Sequence, residues 1–359
     1  MSSHTAIVAR ALGGPLEAIS VPTPAPGPGE VLVRVEWASA TPFDNWLTDF
    51  GMTVQSWPAF LGENTAGTVE RLGEGVTTLK VGDKVFGFTH GPPKVKAFQE
   101  FAVLEVRRVG KLPDNISPQA AVTVPDNFVT AFWALTHYLG LTIPFDLPVR
   151  TPPPEHGEPI LIWGGATSVG QYTLQLLKHA GYTNILTTAS PRHTELLRSY
   201  GARVVLPYTD PSVASLLTSA AGGPITKVLD CIAHDKKTIG RYRNIVGKGA
   251  QVAILLPVLV SDEEGKTARL ESGDDLGHYF EEDVRVVAVR AFRYQENKDL
   301  YEKLQPEVMP RCLAQGLVKP NKARVIESPT LLARVDEGLR LLREGLISGE
   351  RVVLRISEV

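Results

Sequence analysis

Two rhythms of apolar and polar positions divide this chain. In its first third, apolar residues come in short runs broken by glycines and prolines. Val31–Val35 alternates, and Thr65–Leu72, Asp83–Phe88 and Ala97–Val103 follow. Such runs with turn residues between them predict a compact, barrel-like β-rich domain. Helices are predicted over Pro118–Ala121 and over Phe128–Leu139, the latter from apolar spacings of three and four. Thr142–Pro159 contains Thr151-Pro-Pro-Pro-Glu155 and reads as an irregular, exposed excursion. From Ile160 the rhythm becomes strand–helix. Strands are predicted at 160–163, Ile185–Thr188, Val204–Leu206, Val228–Cys231, Gln251–Leu255 and Val284–Val289, with helices at 168–180, 193–200, 212–220 and 235–246. Six strands with helical crossovers imply an α/β fold with a doubly wound parallel sheet. The polar stretch Ser261–Glu282 reads as a loop or lid in the last crossover. A helix over Pro329–Glu344 and a strand over Arg351–Ile356 follow.

A length of 359 residues fits about two domains, each able to bury a core. The formal net charge of −2 gives no electrostatic reason to expect nucleic acid or an anionic membrane as partner. Two cysteines, Cys231 and Cys312, exclude a disulfide framework and a four-cysteine zinc lobe. One disulfide stays open beside the reading of a reduced, cytoplasmic chain. Met1–Arg10 lacks the pattern of a signal peptide, and no apolar run is long enough to span a bilayer.

The densest chemical signal is Pro159-Ile-Leu-Ile-Trp163, Gly164-Gly-Ala-Thr-Ser-Val-Gly170 and the amphipathic stretch that follows. An apolar run, a small-residue turn and a helix form the strand–loop–helix of a dinucleotide-binding crevice. The pyrophosphate there sits on the amides opening the helix, where unpaired N–H groups and the helix dipole favour an anion. Read as G-x-G-x-x-G, the loop is Gly165, Thr167 and Gly170, with Thr at the middle glycine position; Ser168 and Val169 open the helix.

Five stretches carry a resemblance over nearly the whole chain: Pro26–Val33, Ala40–Asn45, Pro58–Val69, Val81–Gly87 and Gly345–Arg351. Together they resemble the medium-chain dehydrogenase/reductase superfamily, in its zinc-free quinone reductase and enoyl reductase branch. More narrowly, the chain is similar to fungal trans-acting enoyl reductases of polyketide and other secondary-metabolite pathways. The resemblance implies a split catalytic domain, 1–127 and 295–359, around an NADPH-binding Rossmann domain, 128–294. Zinc-dependent members place a Cys in the stretch matching Ala38–Asp44 and a His after the glycine matching Gly62. Here the stretch has no Cys and Glu63 stands at the His position. Glu63 with His90 makes a poor zinc set. No metal is expected, and Glu63 and Asn64 read as hydrogen-bonded loop residues.

Enzymes of this kind that use NAD carry Asp or Glu after the second strand, on the ribose 2′-OH. Here Thr188-Ala-Ser190 is followed by Pro191-Arg192-His193. Ser190 and Arg192 read as a 2′-phosphate site, Arg192 through charge-assisted forked donors; the alternative is an N-cap serine and a solvated arginine. His193 is either part of that site or the helix's first turn. The resemblance places Tyr208 near the adenosine ribose, against the alternative of a half-buried loop aromatic. It also puts Thr130 at the cofactor-facing start of a helix, where its hydroxyl reaches the nicotinamide or bonds within the helix. Strand ends face the ligand in such folds, so Ile232, Leu255–Leu256 and Val289–Phe292 are expected to border the cofactor. Cys231 and Cys312 read as buried apolar residues.

Hydride delivery to an enone or enoyl thioester leaves an enolate that needs a donor and then a proton. Related enoyl reductases use a Tyr past the motif matching Thr41–Asp44, or a Lys near the position of Trp46. Phe50–Trp57 has no Tyr, and that Lys is absent, so the proton donor is unassigned, with solvent or a cofactor hydroxyl relay in its place. Asn45 either orients substrate or nicotinamide, or forms a turn. Trp46, Phe50, Trp57 and Phe88 either line an apolar pocket or belong to the core. The expected function is NADPH-dependent reduction of a small-molecule or carrier-bound enoyl substrate, with a polyketide synthase as candidate partner. A quinone or general enone reductase and a non-catalytic NADPH-binding protein are the alternatives.

Overall fold

The computed structural model describes residues 2–263, 267–273 and 276–357. The chain divides into two compact units, Met1–Asp126 with Gln295–Val359, and Asn127–Tyr294. The first part of the split unit runs β1 (Ser3–Ala9), β2 (Leu16–Pro22), β3 (Glu30–Ser39), α1 (Pro42–Phe50), β4 (Ala59–Phe60), β5 (Asn64–Leu72), β6 (Lys84–Phe88), β7 (Phe101–Glu105), β8 (Val109–Lys111) and α2 (Pro118–Ala121), and reaches the start of α3 (Pro125–Trp133). β1 pairs with β2 and β4, all antiparallel. β3 is the hub, antiparallel to both β5 and β7. Its Val31, Val33 and Val35 are fully buried, and its pairing with β5 slips after Leu32 and after Val35. Such bulges bend a strand so that one long element serves two partners.

Residues 41–45 form a helix start, not a turn. The Thr41 hydroxyl accepts from the Asp44 amide, the Asp44 carboxylate accepts from the Thr41 amide, and Pro42 occupies the first turn. This reciprocal cap satisfies two otherwise unpaired donors. Gly51, at φ +66°, ends α1 in a left-handed conformation that suits glycine.

The second unit follows the strand–helix rhythm: β9 (Ile160–Trp163), α4 (Ser168–His179), β10 (Ile185–Ala189), α5 (Thr194–Ser199), β11 (Val204–Pro207), α6 (Val213–Ala221), β12 (Ile225–Asp230), α7 (Gly240–Tyr242), β13 (Val246–Leu255), β14 (Val258–Ser261), β15 (Thr267–Glu271) and β16 (Arg285–Val289). Six strands form one parallel sheet in the order β11-β10-β9-β12-β13-β16. This is the doubly wound α/β architecture. Leu161, Trp163, Leu186, Val228, Val252 and Ile254 bury its strand faces.

Two expectations are corrected. The helix over 235–246 is a five-residue π turn, Asp235–Ile239, followed by α7, because Gly247 and Gly249 (φ +69°) favour extended and turn backbone and the chain already enters β13 at Val246. The stretch Ser261–Glu282 is not all loop. β14 and β15 form an antiparallel hairpin, with Val258 opposite Glu271 and Leu259 opposite Leu270. Residues 264–266 and 274–275 of that stretch lie outside the described residues.

The split unit is completed by α8 (Lys298–Lys303), α9 (Met309–Ala314), β17 (Lys322–Ile326), α10 (Leu331–Arg343) and β18 (Glu350–Arg355). β18 lies antiparallel to β3 and parallel to β17. The result is a seven-stranded sheet in the order β17-β18-β3-β5-β6-β8, with β7 also on β3, beside the three-stranded sheet β2-β1-β4. α10 packs Val335 and Leu339 into the same core as Ile7, Val33, Leu47 and Leu354.

Candidate active site

Candidate residues lie in both units and are described unit by unit. In the nucleotide-type unit, β9 ends at Trp163 and the chain turns through Gly164 at φ +86° into α4. The Gly164 amide donates to Thr188 Oγ1 (3.1 Å) and the Gly165 amide to the Thr188 carbonyl (3.0 Å), fastening the loop to the end of β10. A Cβ on Gly165 would lie 2.1 Å from Thr187 Oγ1, and one on Gly170 would lie 2.5 Å from the Gly164 carbonyl oxygen. No side chain fits at either position.

Thr167, at the middle fingerprint position, is the N-cap of α4. Its Oγ1 accepts from the Gly170 amide at 3.0 Å. A threonine hydroxyl thus fixes a helix start where glycine would only leave room. Ser168 and Val169 are the first two residues of the twelve-residue α4. Their amides precede the first intrahelical bond and lie at the positive end of the helix dipole. β9 sits between β10 and β12, where the strand order reverses, which is the switch point where such folds bind ligands.

The end of β12 is clamped by Asp230, which is fully buried. Its Oδ1 accepts from the Ile232 and Ala233 amides (both 2.9 Å), and its Oδ2 from Thr238 Oγ1 (2.7 Å) and the Tyr242 hydroxyl (3.2 Å). Burial raises its pKa, and these four donors oppose the rise. The clamp holds Ile232 against the glycine loop: a Cβ on Gly164 would come within 2.8 Å of Ile232 Cγ1. Burial, and then the Asp230 charge, push the Cys231 thiol far up. It therefore stays protonated and unreactive.

At the end of β10, Ser190 precedes a 3₁₀ turn, Pro191–His193, and makes no capping bond to it. Arg192 is exposed, with Nε 3.3 Å from His193 Nε2. Burial, and then Arg192, lower the His193 pKa. Tyr208 follows the neighbouring β11, exposed, and its carbonyl accepts from Arg241 at 2.9 Å. Ala189 is paired with Pro207 and Leu255 with Val289. Ser190, Tyr208, Leu255 and the glycine loop therefore share the C-terminal edge of one parallel sheet. Phe292 follows β16 in a 3₁₀ turn, and Thr130 lies half-buried on α3.

In the β-rich unit, Asn45 is buried on α1. Its Nδ2 donates to the Leu339 carbonyl of α10 at 3.1 Å, while its Oδ1 is buried with no hydrogen-bond partner. Phe88 is buried, whereas Phe50 and Trp57 are exposed. Glu63 is the centre of a charged cluster that the sequence did not reveal. Buried beside β5, it takes an ion pair from Lys96 on one oxygen and from His90 Nδ1 on the other, the latter at 2.9 Å. Burial alone would raise its pKa. Lys96 and His90 outweigh that and hold it near 2. Asp44 is pushed the other way, to about 6, by burial and then by the Glu63 charge. Lys96 was missed because it follows a proline-rich turn, where a lysine reads as solvated. With an ammonium on the Glu63 carboxylate, this set does not suit a zinc ion. Among the described residues no group of three or more His, Cys, Asp or Glu is arranged to hold a metal.

Residues 27–114 match the family described as alcohol dehydrogenase GroES-like domain. The trans-enoyl reductase tazE of Aspergillus terreus is 36% identical over 228 residues, 61% of this chain and 73% of that protein. The chain belongs to the trans-enoyl reductase family of the medium-chain dehydrogenase/reductase superfamily. Another relative in this oxidoreductase family is the enoyl reductase component lovC of the lovastatin nonaketide synthase of Aspergillus terreus. It is 29% identical over 335 residues, 91% of this chain and 89% of lovC. Among solved structures, the CurK enoyl reductase shares the fold, with a TM-score of 0.75 and 20% identity, covering 99% of both chains. No described helix is long and apolar enough to cross a membrane.

Proposed function

We propose that this family member is an NADPH-dependent reductase of α,β-unsaturated acyl thioesters, with Asn127–Tyr294 as the nucleotide-binding unit and the split unit as the substrate-binding one. One observation carries the cofactor reading. A steric glycine cradle opens α4 at the sheet's switch point, while the neighbouring strand end offers a hydroxyl and a guanidinium, Ser190 and Arg192, in place of a carboxylate. The amides of Ser168 and Val169 would hold the pyrophosphate, and Ser190 with Arg192 the 2′-phosphate, with His193 alongside. Tyr208 would cover the adenosine ribose. Ile232, Leu255 and Phe292 would supply apolar walls, Thr130 a hydroxyl toward the nicotinamide, and Asn45 the seating of α1. When bound, the reduced nicotinamide supplies a hydride.

The reaction class rests on the family, whose compared members are named as enoyl reductases, and on a donor set unsuited to zinc, the Lewis acid of carbonyl–alcohol chemistry in this superfamily. A polyketide-like chain presented by a synthase is the proposed substrate form. The test is NADPH oxidation by the purified protein against enoyl thioesters, quinones and simple enals. Turnover of enoyl thioesters with NADPH is expected. Oxidation of simple alcohols with NADP, with every thioester and enone ignored, would overturn the reading.

A further inference from the structure

At the C-terminal edge of the parallel sheet, two arginines have no acid paired with them. Arg192 stands on the turn after β10, with Nε 3.3 Å from His193 Nε2. Arg241 stands on α7, and its Nη1 donates to the carbonyls of Tyr208 (2.9 Å) and Asp210 (3.3 Å). Among the described residues neither guanidinium forms an ion pair. The acids on the same segments are engaged elsewhere. Glu195 pairs with Arg198 at 3.7 Å, and Asp210 Oδ1 accepts from the Ser212 amide at 2.8 Å and the Ser212 hydroxyl at 2.6 Å.

Both cations serve one place. Ala189 and Pro207 are register partners in the parallel pair β10 and β11. Ser190 and Tyr208, each one residue further on, therefore leave the sheet as neighbours, from strands about 4.8 Å apart. Arg241 reaches this place from the other half of the sheet, because α7 follows β12 and the strand order is β11-β10-β9-β12. Its backbone has a rigid base. The adjoining Tyr242 is fully buried, donates to Asp230 Oδ2 at 3.2 Å, and packs on Trp163 with ring centroids 5.5 Å apart. The Asp230 clamp that seats Ile232 against the glycine loop thus also seats Arg241, whose guanidinium ties down the segment carrying Tyr208. The Tyr208 ring stays exposed while its carbonyl is held. Arg241 itself is half-buried. A guanidinium with only carbonyl partners keeps its full charge, and partial burial lengthens the reach of its field.

We propose that Arg241 is a specificity-determining positioning residue for an adenosine 2′-phosphate. It fixes the backbone of Tyr208 beside Ser190 and adds a second permanent positive charge to that of Arg192. This rests on the NADPH reading above. Direct contact with the phosphate stays with Ser190 and Arg192.

The test is calorimetric titration of the full chain, as wild type, R241Q and R241K, with adenosine 2′,5′-bisphosphate and with 5′-AMP. The two nucleotides differ only in the 2′-phosphate. Glutamine keeps a donor for the Tyr208 carbonyl and removes the charge; lysine keeps both. R241Q should bind the bisphosphate about fivefold more weakly and 5′-AMP within about twofold of wild type, as one charge acting through a partly solvated site would give. R241K should stay within about twofold of wild type for both ligands. Wild type and R241Q should converge at about 1 M salt, where the Debye length is about 3 Å. An equal loss for both nucleotides in R241Q would reduce Arg241 to a prop of the loop and overturn the proposal, and so would an unchanged bisphosphate affinity. A wild type that binds the two nucleotides equally, or binds neither, would overturn the NADPH reading and this proposal with it.

Discussion

One methyl group at Gly165 probes the glycine cradle proposed above to hold the cofactor. In Gly165→Ala the new Cβ would lie 2.1 Å from Thr187 Oγ1 and 3.1 Å from both Cβ and Cγ2 of that residue. Thr187 is fully buried and β-branched, and its hydroxyl donates to the Ile162 carbonyl at 2.6 Å. It cannot swing aside without breaking that bond, because its χ1 is stiff. Overpacking of this kind costs about 1–3 kcal/mol, and the lost hydrogen bond adds about 1 kcal/mol. The variant should therefore lose about 2–4 kcal/mol, which for a unit of this size lowers Tm by roughly 4–16 °C. Scanning calorimetry on wild type, G165A, T187A and the double variant measures it. Removing the Thr187 hydroxyl and methyl should relieve the clash, so the double variant should be more stable than additivity predicts by at least about 1 kcal/mol. A G165A melting temperature equal to that of the wild type, or strict additivity, would refute the steric argument.

Lys96→Met removes the ammonium from a buried carboxylate and should cost about 3–5 kcal/mol at neutral pH. Because Glu63 is held near 2, below its ordinary 4.5, the wild type has its full contribution above about pH 4.5 and loses it as pH falls toward 2. In K96M burial dominates and the sign reverses, so urea unfolding should show stability rising on acidification from neutral pH; an unchanged pH slope would count against the ion-pair account. Arg192→Ala should erode a preference for NADPH over NADH of roughly tenfold or more, since a charge-assisted contact is worth about 1.5–3 kcal/mol, and leave NADH affinity nearly unchanged. Equal wild-type affinities in a binding titration would sink the 2′-phosphate site. Asp230→Ala strands the donors of Ile232, Ala233, Thr238 and Tyr242 and should cost about 3 kcal/mol or more. Hydrogen exchange should then show loss of protection over residues 231–239, and retained protection would contradict the clamp.

Where an element is written in local periodicity, the sequence was legible. The βα rhythm from Ile160, the glycine loop and the helix before β18 follow from apolar spacing and turn residues, and the parallel sheet follows from their order. α1 carried its own signal, Thr41-Pro-x-Asp44 ahead of an apolar stretch, but its shortness and the turn-like Phe43-Asp-Asn45 hid it. β15 was hidden differently: it carries Arg269 and Glu271 in a polar segment, and its extended form depends on pairing with β14. Of the expected cofactor residues, Ser190, Tyr208, Ile232 and Leu255 lie at or just past strand ends, and strand ends are readable. The Glu63 cluster was not, because the lysine and glutamate that pair there are far apart in sequence and nothing local marks a lysine for burial. Asp230 was visible only as the last residue of a strand; two of its donors, Ile232 and Ala233, come from a turn whose geometry, with Ala233 at φ +55°, has no sequence signature, and the other two, Thr238 and Tyr242, lie beyond it.

The pairing of β18 with β3 also sets a timetable for synthesis. Val353 is the partner of Ser39, so 353 − 39 = 314 residues separate them, roughly 15–60 s at 5–20 residues per second. Through that interval the C-terminal end of β3, Trp37–Ser39, lacks its β18 neighbour, and an unpaired edge is a template for association with other chains. The parallel sheet, by contrast, has all six of its strands once Val289 has been made. The nucleotide-type unit can therefore be complete on the ribosome while the sheet on either side of it in sequence still waits. A premature stop before Glu350 would yield a chain with one finished unit and one permanently open, aggregation-prone sheet.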